Sequence, residues 1–155
     1  MNRLEVFEAP SRYIEEPHKV LAVDGTPLDE RLDAACPDSH LLGLVPVRLD
    51  GLHDPKEREL VRERILPAVG GIAMAPLLVC PDDLDFGCTV IVAEVVREAS
   101  VVWWRRIGVD ATDARSSDMP RGIGSAVNWI DGVGPFCFET TAYERCVAAL
   151  WPPDA

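Results

Sequence analysis

Three carboxylates stand within one short connection between two apolar segments. Asp82, Asp83 and Asp85 belong to residues 81–87, PDDLDFG. Such a group can bind a cation, act as an acid/base pair, meet the basic side chains of a protein partner, or satisfy backbone N–H groups in a solvated turn. Asp83-x-Asp85 matches only the start of a calcium loop, whose later Gly and terminal Glu are missing. The four interpretations stay open, and contact with a partner is the functional one that the sequence favours.

A second candidate group is the run Trp103-Trp104-Arg105-Arg106. Strand alternation places Trp104 and Arg106 on one face and Trp103 and Arg105 on the other. One tryptophan is expected in the core, and the other at the surface beside an arginine, which is the composition of interaction hot spots. We predict that Trp104 and Arg106, together with the three carboxylates, bind a partner. Simple packing against a helix is the alternative interpretation.

Motifs of catalysis and cofactor binding are missing from the chain. It contains no G-x-x-x-x-G-K-[ST], no H-E-x-x-H and no G-x-S-x-G. We therefore predict no catalytic residue, no metal ligand and no cofactor. The five cysteines include no C-x-x-C pair and are expected as buried free thiols. The exception is Cys80 with Cys88, which bracket the acidic turn and can face each other across a hairpin as a redox pair.

The charge of the chain restricts its partners and its location. Fifteen basic and 26 acidic residues give a formal net charge of −11, and residues 1–50 hold ten acidic against five basic residues. Because phosphate binding needs a basic face, nucleic acid is excluded as a partner. No apolar run reaches 18 residues, and the first 20 residues carry four Glu and no apolar core of a signal peptide. A cytoplasmic protein that does not span a membrane is expected.

One α+β domain over residues 1–155 is expected to position these groups. Three apolar runs between 72 and 107, joined by short connections, predict an antiparallel meander. Residues 126–139 predict a hairpin in which Trp129 pairs with two phenylalanines across the strands. Residues 41–49 contain Gly and Pro and predict an irregular edge strand.

Helices are predicted near 27–35, 55–66 and 141–150. Each follows a sequence signal for an N-terminus, namely Thr26, Asp54 and the capping box Thr141-x-x-Glu144. The polar stretch 108–124 between the meander and the hairpin predicts a long surface loop.

Three segments together resemble a known class of protein. They are the strand VVWWRRIGVD, the strand NWIDG and the strand-helix segment FCFETTAYERCVAAL, which ends at Leu150; the resemblance covers residues 77–149, about half of the chain. This stretch resembles the small acidic bacterial immunity-type proteins that neutralise polymorphic or contact-dependent toxins. The resemblance implies a non-catalytic binder of a toxin domain, and it transfers no site residue because that class contains many unrelated folds.

Three functions follow from these observations. The first is a cytoplasmic interaction protein, in the immunity case one that neutralises a basic toxin domain by charge complementarity. The second is a small enzyme or ligand-binding domain, with a pocket near the 81–87 turn and the 108–124 loop that uses the carboxylates or a cysteine. The third is a structural homo-oligomer, such as a homodimer, that pairs through the edge strand near 41–49.

Overall fold

A computed structural model describes residues 1–10, 14–49, 52, 54–81, 89–112 and 122–151. Within these residues the chain forms three α-helices and two antiparallel sheets, one of three strands and one of six. The arrangement confirms the predicted α+β class.

The smaller sheet is built from the N-terminal residues. Its strands are β1 (Leu4–Ala9), β2 (His18–Val23) and β3 (Thr26–Pro27), paired in that order. Asp24 and Gly25 form the turn between β2 and β3, both with positive φ, and the Asp24 carboxylate accepts hydrogen bonds from the Asn2 side chain and the Arg3 N–H. These two bonds hold the pKa of Asp24 below its ordinary value. The turn thus fastens the start of β1 to the end of β2.

The larger sheet contains the predicted meander. Its strands are β4 (Val45–Pro46), β5 (Ile72–Val79), β6 (Val90–Arg97), β7 (Val101–Asp110), β8 (Val127–Trp129) and β9 (Phe136–Glu139). The order is β4-β5-β6-β7-β8, and β9 also pairs with β7. Strands β5, β6 and β7 are antiparallel neighbours, which confirms the meander. The short β4 lies at the edge, as predicted for residues 41–49.

The predicted hairpin over 126–139 is wrong, because β8 and β9 do not pair with each other. Strand β8 pairs with the C-terminal end of β7, where Gly108 lies opposite Trp129. Strand β9 pairs with the N-terminal half, where Val102 lies opposite Phe138. The ten residues of β7 are long enough to hold both strands end to end. Trp129 is therefore separated from the phenylalanines with which it was expected to pair.

The three helices lie close to their predicted positions. They are α1 (Leu28–Ala35), α2 (Pro55–Ile65) and α3 (Thr140–Leu150). Asp54 caps α2 as expected, whereas Thr26 belongs to β3 and does not cap α1. Helix α3 is capped by the Glu139 carboxylate, which accepts from the N–H groups of Thr141 and Ala142, and not by the predicted capping box. None of the described helices has the length and apolar character needed to cross a membrane.

A buried hydrogen-bond chain joins β7 to α3 and α2. The Trp104 indole Nε1–H donates to the Tyr143 hydroxyl at 3.1 Å, and that hydroxyl donates to the Ile65 carbonyl at 2.7 Å. Trp104 also packs edge-to-face against Phe138, with 5.0 Å between ring centroids. Helices α2 and α3 therefore cover the face of the sheet on which Trp104 lies. On the opposite face Val90 and Val92 are buried, and the exposed side chains lie toward the other end of the strands, near Ile72 and Trp103.

Candidate functional site

A β-bulge in β7 determines which side chains lie on the face opposite Trp104. Between two successive buried pairs β6 advances two residues while β7 advances three, so that Arg105 and Arg106 together lie opposite Glu94. Trp104 before the bulge and Ile107 after it are buried, and both arginines are exposed. The expectation that Arg105 and Arg106 point to opposite faces is wrong, because the extra residue interrupts the alternation.

Trp104 is a core residue and not a surface contact. Its exposed fraction is 0%, and its indole lies among Phe138 and Tyr143. It therefore cannot have the partner contact predicted for it. The partly exposed tryptophan of the pair is Trp103, which the sequence pattern did not select.

Arg106 lies on the face opposite Trp104 and is exposed, as a partner-binding residue must be. Its guanidinium stacks on the Trp129 ring at 4.0 Å from the centroid, and its Nη2 lies 2.6 Å from a Glu94 carboxylate oxygen. The side chain is still about half exposed, at 51%. The stack and the ion pair fix the arginine in one orientation and neutralise its charge within the chain.

An apolar row crosses the same face. The strand register places Ile72 opposite Val96, Val96 opposite Trp103, and Trp103 opposite Cys137, and residues directly opposite in antiparallel strands share a face. Ile72 is 62% exposed, Trp103 and Cys137 are partly exposed, and Val96 is buried between them. Ile72 and Trp103 thus flank Val96 on one face, and a partly exposed tryptophan among apolar neighbours is typical of a binding surface.

We call this surface the Trp103 face. Its members are Ile72, Glu94, Val96, Glu98, Trp103, Arg105, Arg106, Trp129 and Pro135. A shallow groove of about 460 Å³ opens on it and is lined by Glu94, Glu98, Trp103, Arg105, Arg106 and Pro135. Glu98 and Arg105 are exposed and form no ion pair with any described residue. The face can therefore bury apolar area and make charged hydrogen bonds at its rim.

Among the described residues no group of three or more His, Cys, Asp or Glu side chains is placed to hold a metal ion. Asp82, Asp83 and Asp85 lie outside the described residues, as does most of the 108–124 loop. The pocket and the acidic contact predicted there consequently have no structural description.

The described cysteines agree only in part with the prediction of buried free thiols. Cys80, named above as the exception, is disulfide-bonded, and Cys88 lies outside the described residues. Cys36, Cys137 and Cys146 are free and only partly buried. Burial raises the pKa of the Cys137 and Cys146 thiols, which keeps them protonated near neutral pH.

The edge strand near 41–49 is covered in the structure. Val45 and Val47 are buried, and the indole Nε1–H of Trp151 donates to the Val47 carbonyl. The Val47 N–H donates to Leu77 on β5. Both backbone groups of Val47 are thus occupied within the chain, so this residue does not present a free strand edge for pairing with a second copy.

Comparison of the chain with protein-family models, with curated proteins and with solved structures gave no match.

Proposed function

We propose that the protein is a non-catalytic binding protein that engages a basic protein partner through the Trp103 face. The observation that supports this most is the exposed apolar row of Ile72 and Trp103 beside a fixed arginine. Tryptophan and arginine are the residues most enriched among interface hot spots. Arg106, held by Trp129 and Glu94, loses little conformational freedom on binding, which favours affinity.

The charge of the chain supports a basic partner. A net charge of −11 raises the rate at which a positively charged protein meets the chain, because the summed field steers the encounter. On the face itself the exposed Glu98 carboxylate is free to accept an arginine or lysine of the partner. Glu94 already neutralises Arg106, and the exposed Arg105 can pair with a carboxylate of the partner. The attraction for a basic partner therefore comes from the net charge of the whole chain.

The partner that we propose is a toxin domain, in agreement with the resemblance of residues 77–149 to immunity-type proteins. Neutralisation of such a domain takes place where the toxin acts, and we propose the cytoplasm. Binding through the Trp103 face requires no reaction catalysed by the chain. The bound chain needs only to cover the surface with which the toxin domain acts.

Photo-crosslinking from the Trp103 face tests this proposal in the cell. A photoreactive phenylalanine analogue replaces Trp103 in one variant and Ala148, an exposed residue of α3, in the control. We expect position 103 to capture one strongly basic protein that position 148 does not capture. The captured fraction falls as salt rises from about 0.05 M to about 0.5 M, because screening weakens the attraction.

Two results would contradict the proposal. One is equal capture of the same protein from both positions, which would place the contact elsewhere. The other is capture at position 103 of other proteins without a basic character and of no basic protein, a second copy of the chain not being counted, because the charge of the chain would then not explain the choice of partner.

A further inference from the structure

We infer that the Trp103 face also packs against the same face of a second copy of the chain, forming a two-fold symmetric dimer that closes the face to other partners. Dimer formation regulates the partner binding proposed above, because it covers the same face, and in this respect the inference rests on the proposed function. The dimer itself follows from the charges and the register of β6 and β7.

The charges of the face are self-complementary. Glu94 and Arg106 neutralise each other at 2.6 Å. This leaves Glu98 and Arg105, one acidic and one basic side chain, both exposed and without an ion-pair partner among the described residues. A surface with one unpaired charge of each sign can satisfy both against a copy of itself.

The register places these two charges on opposite sides of the apolar row. Val96 of β6 lies opposite Trp103 of β7. Glu98 follows Val96 by two residues and Arg105 follows Trp103 by two residues, and because the strands are antiparallel the two steps run in opposite directions. Glu98 and Arg105 therefore lie on either side of the Val96–Trp103 pair, along the strands.

The proposed dimer has a two-fold axis that lies in the plane of the interface and crosses the strands at the Val96–Trp103 pair. Rotation about this axis exchanges the side of the row that holds Glu98 with the side that holds Arg105. Glu98 of each copy then meets Arg105 of the other, which gives two ion pairs from one symmetry operation. The same axis brings the two Trp103 side chains together at the centre. The result has the ordinary anatomy of an interface, with an apolar centre and a charged rim.

Charge reversal at the rim tests the dimer in sedimentation velocity measurements over a range of protein concentrations. The wild-type chain is expected to shift with concentration from 17.0 kDa toward twice that mass. Arg105→Glu and Glu98→Arg are each expected to raise the dimer dissociation constant roughly tenfold or more, because each places like charges in contact twice. The double variant restores the opposite-charge pairs and is expected to return to within about threefold of the wild type.

Arg145→Glu is the matched control, since Arg145 is an exposed arginine of α3 and the net charge changes equally. It is expected to leave the dimer unchanged, and circular dichroism checks that every variant folds. A monomer at every concentration would overturn the inference, as would an Arg105→Glu variant that behaves like the control or a double variant that is not restored.

The failure of this inference can be distinguished from the failure of the proposed function. A monomeric chain that still crosslinks a basic protein from position 103 overturns the dimer alone. A dimer that obeys the charge-reversal pattern, with no basic protein captured from position 103, contradicts the proposed function alone.

Discussion

Replacing Trp104 with alanine is expected to lower the free energy of unfolding by about 3–5 kcal/mol, the usual cost of removing a buried tryptophan or phenylalanine. The side chain has no exposed surface and contacts Phe138 and Tyr143 edge-to-face. Its removal leaves a cavity between β7 and α3, and it leaves the Tyr143 hydroxyl without its indole donor. Urea unfolding followed by circular dichroism measures the loss.

Trp103→Ala is the matched control for this measurement. The same residue type is deleted one position away, but Trp103 is partly exposed on the opposite face. We expect a loss below about 1.5 kcal/mol, because little of the removed area comes from the packed core. Equal losses from the two variants would show that Trp103 also lies in the core, and would remove the basis for the Trp103 face.

Replacing Tyr143 with phenylalanine is expected to cost about 2–4 kcal/mol, although only one oxygen atom is removed. The hydroxyl accepts from Trp104 and donates to the Ile65 carbonyl, and both partners are in the interior. Without the hydroxyl two buried polar groups lose their partner, and each unsatisfied group costs about 1–3 kcal/mol. A loss below about 1 kcal/mol would show that the hydrogen-bond chain does not contribute to stability.

The same hydroxyl gives the stability a defined pH dependence. Burial raises the pKa of Tyr143 above its ordinary value of 10.0, and the hydrogen bond from Trp104 lowers it by less. Because the folded pKa is raised, the stabilisation is fully present below about pH 10. It is lost as the pH rises further, since the unfolded chain ionises while the folded chain must keep the proton. The difference in unfolding free energy between wild type and Tyr143→Phe should shrink from pH 9 to pH 11. A constant difference over that range would contradict this assignment.

The sequence pattern was sufficient to predict the elements that depend on residues close together in the chain. The apolar runs between 72 and 107 with short connections specify an antiparallel meander, because no crossover fits between them. Asp54 followed by Pro55 specifies the start of α2. In each case the residues that decide the structure are neighbours along the chain.

The parts that sequence reasoning missed depend on pairing between distant residues. Nothing within residues 126–139 shows that β8 and β9 share β7, since that depends on the length of β7. The bulge at Arg105 and Arg106 is likewise a property of two strands and not of one. Strand alternation assigned Trp104 and Arg106 to a common face, and one extra residue between them reversed that result. Two consecutive arginines in an apolar strand are the only local signal of the bulge.

The most direct test of the central claim is a calorimetric titration of the basic protein captured from position 103. Against the wild-type chain, Trp103→Ala is expected to weaken binding about 30-fold, which corresponds to the roughly 2 kcal/mol that defines a hot spot. Arg145→Ala on α3 is expected to bind as the wild type does. If Trp103→Ala binds with unchanged affinity while its fold is intact, the Trp103 face is not the binding surface and the proposed function is wrong.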